Sequence, residues 1–408
     1  MKYNLLFLVL IYFGIATQLS CAMEPSLIVD TIKKIDGNGV YCAHYGENNN
    51  TLFMLTEQGC YISNIKEQEN KKISDIGFYG WYDGPFLYRN MHVSRDGKKV
   101  VIANKESTIE IIDSIDKKKK SWQEAFPVQF VCFDSNDHVI AFVKERQDYG
   151  SLRKYTYNEK GFLPHISEVS ERIRTDCPAK FNFAINKSML CVIDNRLTVK
   201  LYDLFNFKFK NAYDWTLVAD LNLHSLEHNI PCQMNDEFVA LVATDNRNIK
   251  PICRLLLIFK IIDQYALSLQ RSIGCRQGSF RNTLFYPTTS IIVTTSQPRE
   301  NLKKYIQYWD IVTGKCLHEF LIDDGTRNSA YSLGIILSMS FAPTGENIAI
   351  TTGYSECTIY KVPVHIAYKH AKSDLVLRSF LLKELCEQYK EKCGPIPREI
   401  RAIICFLC

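Results

Sequence analysis

Along most of this chain, apolar and polar residues alternate over short runs that break at polar turns, the period-2 signature of half-buried β-strands. In residues 304–320, Tyr305, Gln307 and Trp309 alternate with Ile306, Tyr308 and Asp310, Thr313-Gly314 interrupts the run, and Cys316 begins another. That segment predicts an antiparallel hairpin. A second pattern precedes each such segment: an apolar anchor, a polar turn, and an apolar strand that starts seven positions after the anchor. The anchors are Phe341, Phe285, Phe183, Phe133 and Val93, with weaker copies on Cys232 and Tyr45. A further strand is predicted after every copy, over residues 61–65, 108–113, 152–157, 197–203, 254–259, 305–310 and 357–361.

The anchors lie 40 to 56 residues apart and define seven units. Self-similarity at such a period means stacked supersecondary units, and a β-propeller is the natural closure because radial packing leaves few strand edges exposed. Three details resemble WD repeats. Trp309-Asp310 is followed four residues on by Gly314, Phe341-Ala-Pro-Thr-Gly carries a turn like the one that joins the first two strands of a WD blade, and Asp113, Asp203 and Asp310 close their strands at the equivalent place. The resemblance to WD40-repeat proteins with degenerate repeats implies an all-β fold, a seven-bladed β-propeller over residues 26–366. It makes Trp309, Asp310, Asp203 and Asp113 repeat-structural residues. There are departures too: the Gly-His dipeptide of a well-formed WD repeat is missing, one unit alone keeps Trp-Asp, and residues 255–262 are apolar with little alternation. Because the seventh unit runs out after residue 362, residues 27–32 are expected to supply its outer strand and close the ring.

Both ends differ from the repeat. Lys2 precedes an apolar stretch over residues 5–16 and then Ser20-Cys21-Ala22, a small-x-small site, which predicts a signal peptide over residues 1–22 cut after Ala22. Lipoprotein processing at Cys21 is the weaker alternative, because Gln18 stands where that signal carries an aliphatic residue. The stretch is short for a bilayer span of roughly 20 residues, and no later stretch qualifies. The mature protein is therefore expected to be exported, periplasmic or extracellular, with no stable membrane insertion. At the other end, Ser373-Asp374 caps a helix with Leu377, Leu381, Leu382, Leu385 and Tyr389 on one stripe, Gly394-Pro395 stops it, and Pro397 opens a second short helix. Residues 373–408 thus read as a C-terminal α-helical tail, either an internal cap or a helix that docks on a partner. Ile396-Pro-Arg-Glu also resembles the opening of an F-box, but the chain stops where two more helices are needed. Cys405-Phe-Leu-Cys408 has a prenylation shape that a secretory signal argues against.

Composition changes this picture little. With 46% hydrophobic and 23% charged residues among 408, the chain is ordinary and globular. A net charge of +5 is too mild to argue nucleic acid, and the basic run of residues 117–120, flanked by Asp113, Asp116 and Glu124, reads as a solvated loop. Among 15 cysteines, Cys60, Cys132, Cys191, Cys316 and Cys357 fall in strand-like runs of different units, which suits buried thiols better than a disulfide framework.

Motifs for chemistry are sparse. His224-Ser-Leu-Glu227-His228 spells the inverted zinc-protease motif, but it joins a strand end to the entrance of the next unit, so a structural role is expected. There is no G-x-S-x-G elbow, P-loop or paired-cysteine zinc array. The reading is a non-enzymatic protein-protein interaction scaffold with a protein partner, no catalytic residue, no cofactor and no metal. The alternative is a propeller-based hydrolase or lyase with a central-channel site.

Overall fold

A computed structural model of the protein describes residues 30–32 and 40–362, the latter apart from connecting segments of which the longest are 78–89, 157–164, 215–222 and 324–335. The expected signal over residues 1–22 and the expected helical tail over residues 373–408 lie outside the described residues. Within them the regular elements are strands, arranged in seven antiparallel sheets.

Blade one contains β2 (Val40–Tyr45), β3 (Thr51–Thr56), β4 (Gly59–Asn64) and β5 (Glu69–Ser74). Blade two contains β6 (Met91–Val93), β7 (Lys99–Ala103), β8 (Thr108–Asp113) and β9 (Lys119–Gln123). Blade three contains β10 (Val128–Phe133), β11 (Val139–Val143), β12 (Tyr149–Thr156) and β13 (His165–Val169), with β14 (Ile173–Arg174) beside the start of β12. Blade four contains β15 (Asn182–Ile185), β16 (Met189–Ile193), β17 (Thr198–Asp203) and β18 (Phe209–Asp214). In blade five the first strand is split into β19 (Leu223–Leu226) and β20 (Gln233–Met234), both paired with β21 (Phe238–Asp245) and followed by β22 (Cys253–Ile262) and β23 (Ala266–Gly274). Blade six contains β24 (Ser279–Phe285), β25 (Ile291–Gln297), β26 (Lys304–Asp310) and β27 (Cys316–Asp323). Blade seven contains β28 (Ile336–Phe341), β29 (Asn347–Thr352) and β30 (Cys357–Lys361). First strands touch first strands around the ring, which puts them nearest the axis: β2 meets β28 and β6, β6 meets β10, β15 meets β20, and β20 meets β24.

The seventh blade takes its fourth strand from the other end of the chain. In β1 (Asp30–Ile32), Asp30 pairs with Ile359, Thr31 with Thr358 and Ile32 with Cys357, so the expected closure is the one observed.

The seven-position spacing holds in four blades, where Tyr45 pairs with Leu52, Val93 with Val100, Phe285 with Ile292 and Phe341 with Ile348. In the other three the hairpin is shorter and the register shifts: Phe133 pairs with Val139, Ile185 with Leu190 and Met234 with Val239. Turn chemistry explains the difference. The Asn186 side chain accepts the Met189 N–H at 2.7 Å, and Asn235 accepts those of Glu237 at 2.9 Å and Phe238 at 2.7 Å, so one amide completes a turn that would otherwise need more backbone. Two of the longer turns depend on glycine instead. Gly97 and Gly345 hold φ at 72° and 75°, and a Cβ on Gly97 would meet the Glu47 backbone nitrogen of blade one at 2.0 Å.

Burial is organised by seam. The second strand of each blade sends alternate side chains into two different cores. Leu52 and Met54 pack toward blade seven while Phe53 and Leu55 pack toward blade two. Val100 and Ile102 return to that seam while Val101 and Ala103 enter the next. The same alternation divides Ile140 from Ala141, Leu190 from Cys191, Leu241 from Val242, Ile292 from Val293 and Ile348 from Ala349. It also accounts for residues 255–259, the part of the apolar run of residues 255–262 that the exposed Lys260 ends. Leu255, Leu257 and Phe259 face blade four, and Leu256 and Ile258 face blade six, so both sides of β22 are interior and no polar alternation is required.

Six of the seven cysteines whose side chains are described are buried free thiols: Cys42, Cys60, Cys132, Cys191, Cys232 and Cys357. Cys316 departs from the expectation, because it opens β27 on the blade edge and is exposed.

Since three backbone pairings at β1 join the ends of the ring, deleting residues 26–33 should lower the thermal midpoint by several degrees. Circular dichroism melts of the full and shortened chains check this, and equal midpoints would deny closure by β1 an energetic role.

Candidate functional site

Because the strands of each blade alternate in direction, the turns between first and second strands share one face with the turns between third and fourth strands. Most of the residues marked by the repeat lie there. Asp113 ends β8 and accepts the N–H groups of Ile115 at 2.8 Å and Asp116 at 3.3 Å. Asp310 ends β26 and accepts those of Val312 and Thr313, both at 2.9 Å. Asp203 ends β17 with Lys210 Nζ 3.6 Å from its carboxylate. The first two carboxylates supply acceptors where strand pairing stops. All three belong to different blades, and the fold does not bring them together.

Trp309 points into the seam between blades five and six. Its indole N–H donates to Thr294 Oγ1 at 2.9 Å, and its ring meets Phe280 edge-on with centroids 6.0 Å apart. Blade one builds the same third-to-fourth-strand turn with Asn64, which accepts the N–H groups of Lys66 at 3.2 Å and Glu67 at 3.3 Å. A search for aspartate alone misses it. In four blades the residue after the third strand then donates to the turn before the second, Ile65 to Asn50 O, Ser114 to Lys98 O, Ile311 to Ser290 O and Val362 to Glu346 O, and in blade five Ile261 near the end of β22 donates to Glu237 O, all at 2.7 to 2.8 Å.

Neighbouring blades are tied through these turns. Lys99 Nζ reaches Asp137 of blade three at 2.7 Å, Asn186 Nδ2 donates to Asn235 O at 3.1 Å, Tyr286 Oη donates to Gly345 O at 3.1 Å, and Arg271 donates to Val312 O. Asn49 crosses the closing seam to Thr344 Oγ1 at 2.7 Å and Glu346 Oε2 at 3.1 Å. Deeper in that seam, Ser338 and Ser340 accept the backbone N–H groups of Ala43 and Tyr45 at 3.1 Å each, and Thr351 Oγ1 donates to Tyr41 O at 3.1 Å. Blade three joins blade four through Lys154, whose ammonium lies 3.2 Å from Asp134 Oδ2 and 3.1 Å from Leu204 O with both charged side chains buried. None of these cross-blade pairs is visible as a motif, since their members lie 38 to 310 positions apart.

Two further sequence features are placed by the structure. The basic run forms an exposed turn, with Lys117 at φ 58° and Lys118 paired to Asp116 at 2.7 Å. In the zinc-protease spelling, residues 223–226 are the extended strand β19, so the first part of the motif lacks the helical turn that would bring two histidines onto one metal; His228 lies outside the described residues.

The titratable groups that depart most from ordinary values do so because they are packed in seams. Burial lowers the imidazole of His44 to about 4 and, with the nearby His44 adding to it, that of His92 to about 3. His92 Nδ1 accepts the Phe133 N–H at 3.3 Å, which tethers blade two to blade three. Burial pushes the Cys42 and Cys357 thiols up to about 12, far from the thiolate range that nucleophilic cysteines need. Among the described residues, no group of three or more His, Cys, Asp or Glu side chains is arranged to hold a metal. No described helix is long and apolar enough to cross a membrane.

No family model matches the chain, and no curated protein matches it. Solved structures do. The β-propeller domain of Myceliophteria thermophila Cps50 (Swd1) superposes with a TM-score of 0.53 at 13% identity, covering 82% of this chain and 100% of that one. A chain of the mitotic checkpoint complex superposes with a TM-score of 0.55 at 10% identity, covering 82% and 90%. In all, 1453 solved chains match, a breadth that goes with the seven-bladed WD40-type fold and selects no function.

The two buried imidazoles give stability a pH dependence. They are neutral in the folded protein, whereas the unfolded chain binds protons there below about pH 6.5, so their contribution is complete above that pH and is lost as pH falls toward 4 and 3. Melts at about pH 7 and about pH 5 should differ by several degrees, the acidic sample being less stable. The double variant His44→Asn, His92→Asn should show a flatter dependence over that interval.

Proposed function

We propose that this protein is a non-enzymatic scaffold that presents loops on the faces of a closed propeller to a protein partner. The carrying observation is how its polar groups are used. Turn carboxylates, amides and lysines lock neighbouring turns, the buried histidines and thiols belong to seams, and the locked face displays Ile115 and Val312, 64% and 54% exposed, at equivalent turn positions of blades two and six. Backbone N–H groups of both residues are held by the aspartate before them, so their side chains are offered on a rigid support, which lowers the ordering cost of binding. A mild net charge of +5 favours a protein over a nucleic acid as the ligand class. One of the similar chains belongs to an assembly, the mitotic checkpoint complex.

The test is affinity capture from the native host with the full chain, the double variant Ile115→Asp, Val312→Asp, and a chain ending at residue 372. The full chain should retain one partner in fixed proportion, while the double variant should melt at the same temperature and lose it. With residues 373–408 acting as an internal cap through Leu377, Leu381 and Leu385, the shortened chain should melt lower and still capture. Absence of any partner in fixed proportion, together with turnover on a broad substrate panel, would replace this reading with the hydrolase or lyase alternative.

We further propose export by residues 1–22. The intact mass of protein recovered outside the cytoplasm should begin at Met23. A retained leader, or a lipid-bearing Cys21, would count against cleavage after Ala22.

A further inference from the structure

Between blades one and two, on the edge opposite the locked turns, lies a cavity of about 240 Å³ lined by Asp75, Ile76, Gly77, Asn104, Glu106, Glu110 and Lys119. Its walls are built before any ligand arrives. On one side, Gly77 runs so close to blade one that a Cβ there would meet Glu57 O at 1.9 Å, and Ser74 Oγ accepts the Ile76 N–H at 3.0 Å. Across the cavity, the turn between β7 and β8 is closed by Asn104 Oδ1 accepting the Thr108 N–H at 2.9 Å, by the Ser107 N–H donating to Asn104 O at 3.1 Å, and by Ser107 at φ 68°.

Glu110 is the unusual member. It sits in the middle of β8, is only 9% exposed, and its Oε1 is buried without a hydrogen-bond partner among the described residues. A buried carboxylate oxygen with no donor is costly to a fold unless something supplies one. The other charges of the cavity do not. Lys72 holds Asp75 at 2.8 Å and keeps its carboxyl below the usual range, while Lys119 is exposed and makes no ion pair among the described residues. Cys60, packed in the same seam, feels the Glu110 charge as part of what raises its thiol.

We propose that this cavity binds the guanidinium group of an arginine on the protein partner, with Glu110 as the charged acceptor and Glu106 at its side. This rests on the scaffold reading and names the chemistry of one contact. A planar guanidinium donates to a carboxylate through two parallel N–H groups and is more weakly hydrated than an ammonium, so it approaches a partly enclosed carboxylate at lower desolvation cost than lysine. An arginine so placed is the kind of anchor that carries a large share of an interface's affinity.

The experiment uses the full chain and N-acetyl-arginine amide as probe, followed by ligand-observed NMR, with N-acetyl-citrulline amide as the uncharged isostere and N-acetyl-lysine amide as the ammonium control. The arginine amide should bind at least about tenfold more tightly than the citrulline amide and more tightly than the lysine amide, and Glu110→Gln should weaken it by about tenfold. Without a ligand, Glu110→Gln should melt at or above the wild-type temperature, because it removes an unpartnered buried charge. No detectable arginine-amide binding, equal binding of the citrulline amide, undiminished binding by Glu110→Gln, or a marked fall in its melting temperature would each overturn the proposal. The last result would mean that Glu110 already has an internal partner, and Lys119→Met would then be destabilised in the same way. Should Glu110→Gln capture the native partner as well as wild type, the scaffold reading stands and the arginine contact falls.

Discussion

Every blade of this propeller depends on sharing its second strand between two cores. A strand's side chains alternate sides, and here both sides are interior, so odd and even positions answer to different neighbours. Phe53 and Leu52 are adjacent in sequence yet pack in different seams, as are Val101 and Ile102. No blade owns a core. Each hydrophobic cluster is made by two blades, and the seven clusters among the described residues form a cycle that is complete when blade seven meets blade one.

That constraint gives the closing seam its composition. Small residues, Ala43, Ala342 and Ala349, bring the two ends of the chain close together, and hydroxyl groups of Ser338, Ser340 and Thr351 engage the backbone of β2 directly. A first strand near the axis cannot pair with the adjacent blade as in a sheet, because it already pairs within its own. Its remaining N–H and C=O groups need partners all the same, and short side-chain hydroxyls reach them. The β1 strand then covers the outer edge of β30, which would otherwise present an unpaired ladder.

Polar chemistry follows the same economy. The turn aspartates, the Lys154–Asp134 pair and the His92 imidazole are occupied by backbone or by neighbouring blades, which makes them structural despite their reactive side chains. Glu110 differs because its surroundings leave an oxygen unanswered. Proteins keep such locally unfavourable groups where binding uses them.

Period and punctuation along the chain were enough to determine seven strand-rich units, the position of each third strand, and the origin of the strand that closes the ring. These depend on local alternation and on residues such as Asp310 and Gly345, whose turn chemistry acts within a few positions. Tertiary structure alone decided the split first strand of blade five, the exposure of Cys316 and the pairing of Lys154 with Leu204 O. The reason is geometric. Seam partners are side chains from adjacent blades, 38 to 310 residues away in the cross-blade pairs described above, and a run such as residues 255–259 is apolar because of what flanks it on both sides. The cavity at Glu110 is invisible to sequence for the same cause: Glu110 reads as one polar residue in an alternating strand until blade one is placed opposite it.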